Sequence, residues 1–181
     1  MANDTVVMSR LWTWVIPARE EDWDALYSEQ LPRVYNFFRY RVGDGPVAED
    51  LTSLTFEKAW RARHRYRRDL SAFTTWLFTI ARNVAVDHFR QQRPHASLEE
   101  AVEVPGGPTP EELAERRSDV ERLGRLLANL PPRERELLSL KYGAGLTNRA
   151  IARMTGLSES NVGTIVHRSI AVLRAGWNEG V

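Results

Sequence analysis

The stretch from Arg93 to Pro110 constrains this chain more than any other. It holds Pro94, Pro105, Gly106, Gly107, Pro108 and Pro110 within a sequence otherwise patterned for helix. Proline removes a backbone donor and clashes with the preceding turn, and glycine loses the most backbone entropy on ordering, so a regular element cannot run through them. The stretch reads as an interdomain linker. On both sides apolar residues recur at three- and four-residue spacing, and no segment alternates with a period of two. The expected fold class is therefore all-α: two small helical domains joined by a flexible linker. The boundaries are an N-terminal extension over 1–19, a first domain over 20–93, an acidic linker over 94–115 and a second domain over 116–181. Domains of this size bury little surface, so partner binding is expected to add to their stability.

The net charge of +1 conceals an asymmetry. Lys58, Arg61, Arg63, Arg65, Arg67, Arg68, Arg82, Arg90 and Arg93 form a basic block, followed by an acidic one from Glu99 to Glu121. Such a pair fits a polyanion partner for the first block and a polyanion mimic in the second, though two solvated faces of opposite sign read equally well. With 43% hydrophobic and 27% charged residues the chain has the composition of a globular protein. It has no cysteine, which excludes disulfides and thiolate zinc sites and suits a reducing, cytoplasmic setting. The apolar run Leu11–Ile16 is too short to span a bilayer or serve as a signal peptide, and Pro17, Glu20 and Glu21 follow it, so no membrane insertion is expected.

In the first half, Trp23, Leu26, Tyr27, Val34, Phe37 and Phe38 mark a helix expected to break or bend near Pro32. A Gly43-Asp44-Gly45-Pro46 turn opens a second helix, which buries Ala48, Leu51, Thr55, Ala59 and Phe56. Ser71 is the expected N-cap of a third, running to about Gln92. That third helix carries two stripes. Phe73, Leu77, Ile80 and Val84 make a core face, while Trp76, Thr79, Asn83, Val86 and Arg90 line up separately. An aromatic, a hydroxyl, an amide and a guanidinium in one row suit single-stranded nucleic acid, whose bases stack on aromatics while its backbone meets cations. Burial of Trp76 between helices, with Asn83 in a local cap, reads equally well.

In the second half, Thr109-Pro110-Glu111-Glu112 is a helix start: cap, proline at the first position, acids at the positive dipole end. The sharpest motif lies from Asn148 to Ser169. Thr147 and Ser158 stand as N-caps of two short helices, Ala152 sits where they would cross, and Gly156 makes the turn. Ile151, Leu157, Val162 and Ile165 would lock the pair. This is helix-turn-helix spacing. Ser160, Asn161, Gly163, Thr164, His167 and Arg168 then face away from the core, small or hydrogen-bonding groups that can approach base edges in a major groove. A plain helical hairpin is the competing reading.

Three stretches together resemble the extracytoplasmic-function group of bacterial RNA polymerase sigma factors. They are Ala48-Glu49-Asp50-Leu51-Thr52 through Thr55-Phe56 to Ala59-Trp60-Arg61; Trp76-Leu77-Phe78-Thr79-Ile80-Ala81-Arg82-Asn83; and Leu130-Pro131-Pro132-Arg133-Glu134-Arg135 running into the helix-turn-helix and His167-Arg168. The resemblance spans about Trp23 to Arg174. It implies a sigma region two bundle and a sigma region four helix-turn-helix domain. It also implies that Asp50, Leu51, Leu54, Phe56, Glu57, Lys58 and Arg61 dock on core RNA polymerase. Tyr66, Phe73, Trp76, Thr79, Arg82, Asn83 and Arg90 would capture the opened minus-ten strand, with Asn83 at the base-contacting asparagine. Lys141 would join Ser160, Asn161, Gly163, Thr164, His167 and Arg168 on the duplex minus-thirty-five element, and the acidic linker would thread the polymerase's active-site cleft. An anti-sigma factor is a further implied partner; no cofactor, metal or catalytic residue is.

The chain departs from the family pattern at Ser53-Leu54, where relatives usually have Gln-Glu, and at Gly163 and Ile165, often basic in relatives. Altered polymerase contacts and weaker phosphate anchoring are the expected results. The residues before Pro17 have no counterpart: they are a docking segment, or the chain starts at Met8. Two other classes stay open. A helix-turn-helix regulator acting without polymerase accounts for the second half but not the Trp76–Asn83–Arg90 stripe. An enzyme would need a converging set of reactive groups, and Asp87-His88 is the only adjacent acid–histidine pair.

Overall fold

The computed structural model describes residues 22–92 and 110–179. The N-terminal extension, the question of Met8 and the linker up to Thr109 lie outside them. Among the described residues there are seven α-helices and no strand: α1 Trp23–Val42, α2 Gly45–Ala62, α3 Phe73–Gln92, α4 Pro110–Ala128, α5 Pro132–Leu138, α6 Asn148–Thr155 and α7 Glu159–Asn178. A 3₁₀ turn over Arg63–Arg65 follows α2, and a π-helical turn over Ser139–Gly143 follows α5. None of these helices is long and apolar enough to cross a membrane.

Helix ends follow local chemistry. The Asp22 carboxylate accepts from the Ala25 N–H at 3.1 Å to start α1. Gly43, at φ 82°, ends it in the left-handed conformation that costs glycine nothing. One residue on, the Asp44 carboxylate caps α2 through the Val47 N–H at 2.8 Å. Contrary to expectation, α1 runs unbroken through Pro32; Val34, Phe37 and Phe38 beyond it are fully buried, so packing holds the helix across the missing donor. The third helix starts at Phe73, with Trp76 N–H bonding Ala72 O, rather than from a Ser71 cap. The Ser71 carbonyl instead accepts from the Tyr66 hydroxyl at 3.3 Å. The fourth helix begins at Pro110, at the start signal read there, and so takes in the last residues assigned to the linker.

Both halves contribute to one continuous core. Phe37, Phe38, Leu77, Phe78 and Ala81 of the first half pack in the same buried cluster as Leu137, Leu138, Leu140, Ala144 and Ile151 of the second. The two helical halves pack against each other, through close contact between α1 and the π-turn. The turn's widened ring, closed by Ala144 N–H to Ser139 O at 2.9 Å, carries Gly143 onto α1. There a Cβ on Gly143 would lie 2.7 Å from the Phe37 Cα.

Candidate nucleic-acid interface

The stripe read on α3 faces outward. Thr79, Asn83, Val86 and Arg90 are exposed and Trp76 is half-buried at its head. The opposite face, Leu77, Phe78, Ala81, Val84 and Ala85, is sealed in the core. Of the competing reading, Trp76 is indeed partly buried, against Trp23, Tyr66 and Phe73, while Asn83 is exposed. Arg90 sits 3.2 Å from Asp87, which also lies 3.8 Å from Lys58, so α2 and α3 are tied at the stripe's lower end. These charges are well solvated, and the pairs orient side chains more than they stabilise the fold.

At the upper end lies an aromatic cluster. Tyr66 and Trp76 have ring centroids 5.2 Å apart, Phe73 and Trp76 5.6 Å, and Trp23 meets both Phe73 and Trp60 nearly edge-on at 5.4 and 5.6 Å. Edge-to-face pairs at these spacings add about 0.5–1.5 kcal/mol each beyond burial. They fix the loop from Arg63 to Ala72 over the start of α3. His64, Arg65, Arg67, Arg68 and Leu70 are exposed on that loop. Arg67 is held by Asp69 in a two-bond fork of 3.0 and 2.9 Å, which raises the guanidinium pKa and lowers that of the carboxyl through side-chain hydrogen bonding. The surface offers ring edges, cations and an amide within one helix and its leading loop, which is what an unpaired strand needs.

Two residues assigned to binding are placed otherwise. Phe73 is buried under Trp23 and Tyr66, so it supports the aromatic surface rather than presenting a face to a base. Arg82 points across to the second half, bonding the Glu136 carboxylate and, at 2.7 Å, the Met154 carbonyl. On α2, Asp50, Leu54, Glu57, Lys58 and Arg61 form an exposed face with Glu57 and Arg61 paired at 2.7 Å. Leu51, however, is buried, and Phe56 is half-buried against Tyr27 at 4.6 Å. The heptad-like spacing that put Leu51 in the core also removes it from any partner. Sequence reading passed over the groove of about 240 Å³ beside this face, lined by Trp23, Asp24, Tyr27, Phe56 and Trp60. Its only signal was the aromatic content of two helices that turned out antiparallel neighbours.

The helix-turn-helix is built as its caps specify. The Thr147 hydroxyl accepts from the Ala150 N–H and the Ser158 hydroxyl from the Asn161 N–H, each at 3.2 Å, and Gly156 turns the chain at φ 74°. Ile151, Val162, Val166 and Ser169 are buried; the Ser169 hydroxyl is satisfied by Glu134 and by the Ile165 carbonyl. Ser160, Asn161, Thr164, His167 and Arg168 share the exposed side of α7, and Lys141 is half-buried on the preceding turn. Gly163 does not join that exposed side. It faces α6, where a Cβ would stand 3.3 Å from the Asn148 Nδ2. Its smallness serves the helix crossing.

An exposed helix of a helix-turn-helix and an exposed polar row on α3, headed by aromatics and a basic loop, make two separate candidate nucleic-acid surfaces on a helical protein. Residues 26–95 match the family described as Sigma-70 region 2, and residues 120–173 match Sigma-70, region 4. The ECF RNA polymerase sigma factor ShbA of Streptomyces griseus is 34% identical, with 96% of each chain covered. RNA polymerase sigma factor CarQ of Myxococcus xanthus is 32% identical, over 86% of this chain and 88% of its own. The ECF RNA polymerase sigma factor BldN of Streptomyces coelicolor is 33% identical over 82% of this chain, which spans 57% of that relative's length. In fold, the chain is similar to the sigma factor RpoE of Bartonella quintana, solved with the anti-sigma factor NepR. That likeness has a TM-score of 0.70 at 22% identity and covers 87% of this chain and 98% of that one. The chain belongs to the ECF group of RNA polymerase sigma factors, transcription initiation factors that direct polymerase to promoters.

Proposed function

We propose that this chain docks on core RNA polymerase through the exposed α2 face of Asp50, Leu54, Glu57, Lys58 and Arg61. In this reading it opens the minus-ten element on α3 and reads the minus-thirty-five duplex with α7. The observation that carries the residue assignment is the exposed Thr79–Asn83–Val86–Arg90 row, headed by the half-buried Trp76, its aromatic cluster and a basic loop. A fully buried face of the same helix holds that row rigid. Asn83 offers an amide that can pair with a splayed-out base edge, Trp76 and Tyr66 offer rings for stacking, and the loop cations meet phosphates. Ser160, Asn161, Thr164, His167 and Arg168 supply the groove contacts, with Lys141 toward the backbone.

Binding and strand capture are the whole of its contribution, and the bond-making chemistry belongs to the polymerase. The partner DNA and polymerase place the work in the bacterial cytoplasm. An anti-sigma factor is the regulatory partner that fits, since the Bartonella sigma factor of similar fold was solved with one.

The test is gel filtration with bacterial core polymerase lacking sigma, followed by binding of a forked promoter fragment. Co-elution that a second sigma factor competes away, with fork binding only in the joint complex, is expected. Tight duplex binding without polymerase, and no co-elution, would make the chain a stand-alone regulator.

A further inference from the structure

We propose that the apolar run Leu11–Ile16 folds back and docks in the aromatic groove between α1 and α2, which makes the N-terminal extension part of the first helical half.

Two helical rows build the groove. Trp23 and Tyr27, one turn apart on α1, stand against Phe56 and Trp60, one turn apart on α2, and Asp24 completes the lining. Trp23 meets Trp60 edge-on at 5.6 Å at one end, and Tyr27 meets Phe56 at 4.6 Å at the other. Tyr27 nevertheless keeps 46% of its surface open and Trp60 50%. Clustered aromatic surface left open to water marks a contact site. The groove holds about 240 Å³ and is walled by four rings and one carboxylate. Small-molecule sites run to roughly 300–1,000 Å³ with several convergent polar groups, so this groove suits side chains of a peptide segment better.

The course of the chain names the segment. The described residues begin at Asp22, so the chain enters α1 at Trp23, on the groove itself. Only residues 17–22 separate Trp23 from Leu11-Trp12-Thr13-Trp14-Val15-Ile16. Those six residues span at most about 20 Å, and one helical turn of groove is about 6 Å long, so the run reaches all of it. The run brings two tryptophans and three aliphatic side chains, and Arg10 and Arg19 flank it with charge opposite to that of Asp24. It is present whether the chain starts at Met1 or at Met8. A tether this short holds its segment at about 1 mM, so an intrinsic Kd as weak as about 0.1 mM leaves roughly nine grooves in ten covered. A separate partner has no such advantage. Trp23 also meets Phe73 at 5.4 Å and Trp76 at 6.3 Å, so a docked run rests against the ring cluster that heads the α3 row.

Hydroxyl-radical footprinting of the full chain, free in solution, tests the dock. Tyr142, on the π-helical turn, is 51% exposed and calibrates Tyr27, which would oxidise at nearly the same rate from an open groove. A docked run should make Tyr27 about tenfold slower than Tyr142, as nine-in-ten coverage requires, with Trp60 protected alongside. Trp12→Ser with Trp14→Ser should bring Tyr27 back to the rate of Tyr142. Leu11→Asp with Ile16→Asp should do the same, and decides the matter if the serine pair loses helical circular dichroism. Tyr27 as reactive as Tyr142 in the parent chain would overturn the dock. So would protection that survives both pairs of substitutions, which would give the groove another occupant. Protection that fades on dilution would overturn it too, in favour of a contact between two copies.

Discussion

Asn148, the first residue of α6, and Gly163, on the recognition helix, meet where the two helices of the helix-turn-helix cross: a Cβ on Gly163 would stand 3.3 Å from the Asn148 Nδ2. The Asn148 Oδ1 is buried there without a hydrogen-bond partner. Gly163→Leu should therefore force the helices apart. Overpacking of this kind costs about 1–3 kcal/mol. A lower melting temperature, with duplex binding weakened and fork-DNA capture retained by the other half, is the expected result. An unaltered melting temperature would show that the crossing can give way.

Local signals carried most of the fold, and long-range contacts carried the surprises. The caps Thr147 and Ser158, the turn at Gly156 and the amphipathic faces of α2 and α3 follow from residues three to five apart, and each stands where the sequence put it. Periodicity also separated the exposed Asn83 row from the Leu77 face. It could not decide what lies opposite a side chain. Gly163 looked like a gap left for DNA and proved to be a gap left for Asn148. Arg82, assigned through the resemblance to the minus-ten strand, pairs with Glu136, 54 residues away along the chain. The contact of Arg33 with Ala144 spans 111 residues, a separation over which no helical repeat carries information.

Ser158→Ala tests the cap that starts the recognition helix. Its hydroxyl satisfies one of the open N–H groups of the first turn, that of Asn161. Losing such a cap typically costs about 1 kcal/mol. Ser158→Ala should lower the denaturation midpoint accordingly, Ser158→Asp should hold it, and Ser158→Gly should lose only a few tenths. Equal loss in all three would show that the hydroxyl has a role other than capping.

His88 makes stability depend on pH. Partial burial beside Phe89 lowers its pKa below the usual 6.5 by desolvating the charged form. The unfolded chain then takes up a proton before the folded one does, so unfolding gains from acid. This contribution to stability is complete above about 6.5 and is lost as pH falls from there through the lowered folded value. Below that value both states carry the proton and the loss stops. A shallow decline in the urea midpoint is expected over this window, and His88→Gln should flatten it. A decline that persists unchanged in His88→Gln would assign it to other groups.

Asn83→Ala and Arg168→Ala should separate the two nucleic-acid surfaces. Asn83 is exposed on α3 in line with Trp76, so removing its amide should cost fork-DNA capture about 1–3 kcal/mol, roughly 5- to 150-fold, in the complex with polymerase. Binding of an upstream duplex should be unaffected, because the recognition helix is untouched. Arg168 is exposed on α7 beside His167, on the side proposed to meet the duplex. Its loss should weaken upstream binding at low salt and reduce the slope of log affinity against log salt by about 1, the signature of one phosphate contact given up. Fork capture by Arg168→Ala should stay near that of the parent. If Arg168→Ala weakens binding with no change in salt slope, the guanidinium reads a base rather than a phosphate, and the loss should then vary with the sequence of the upstream element.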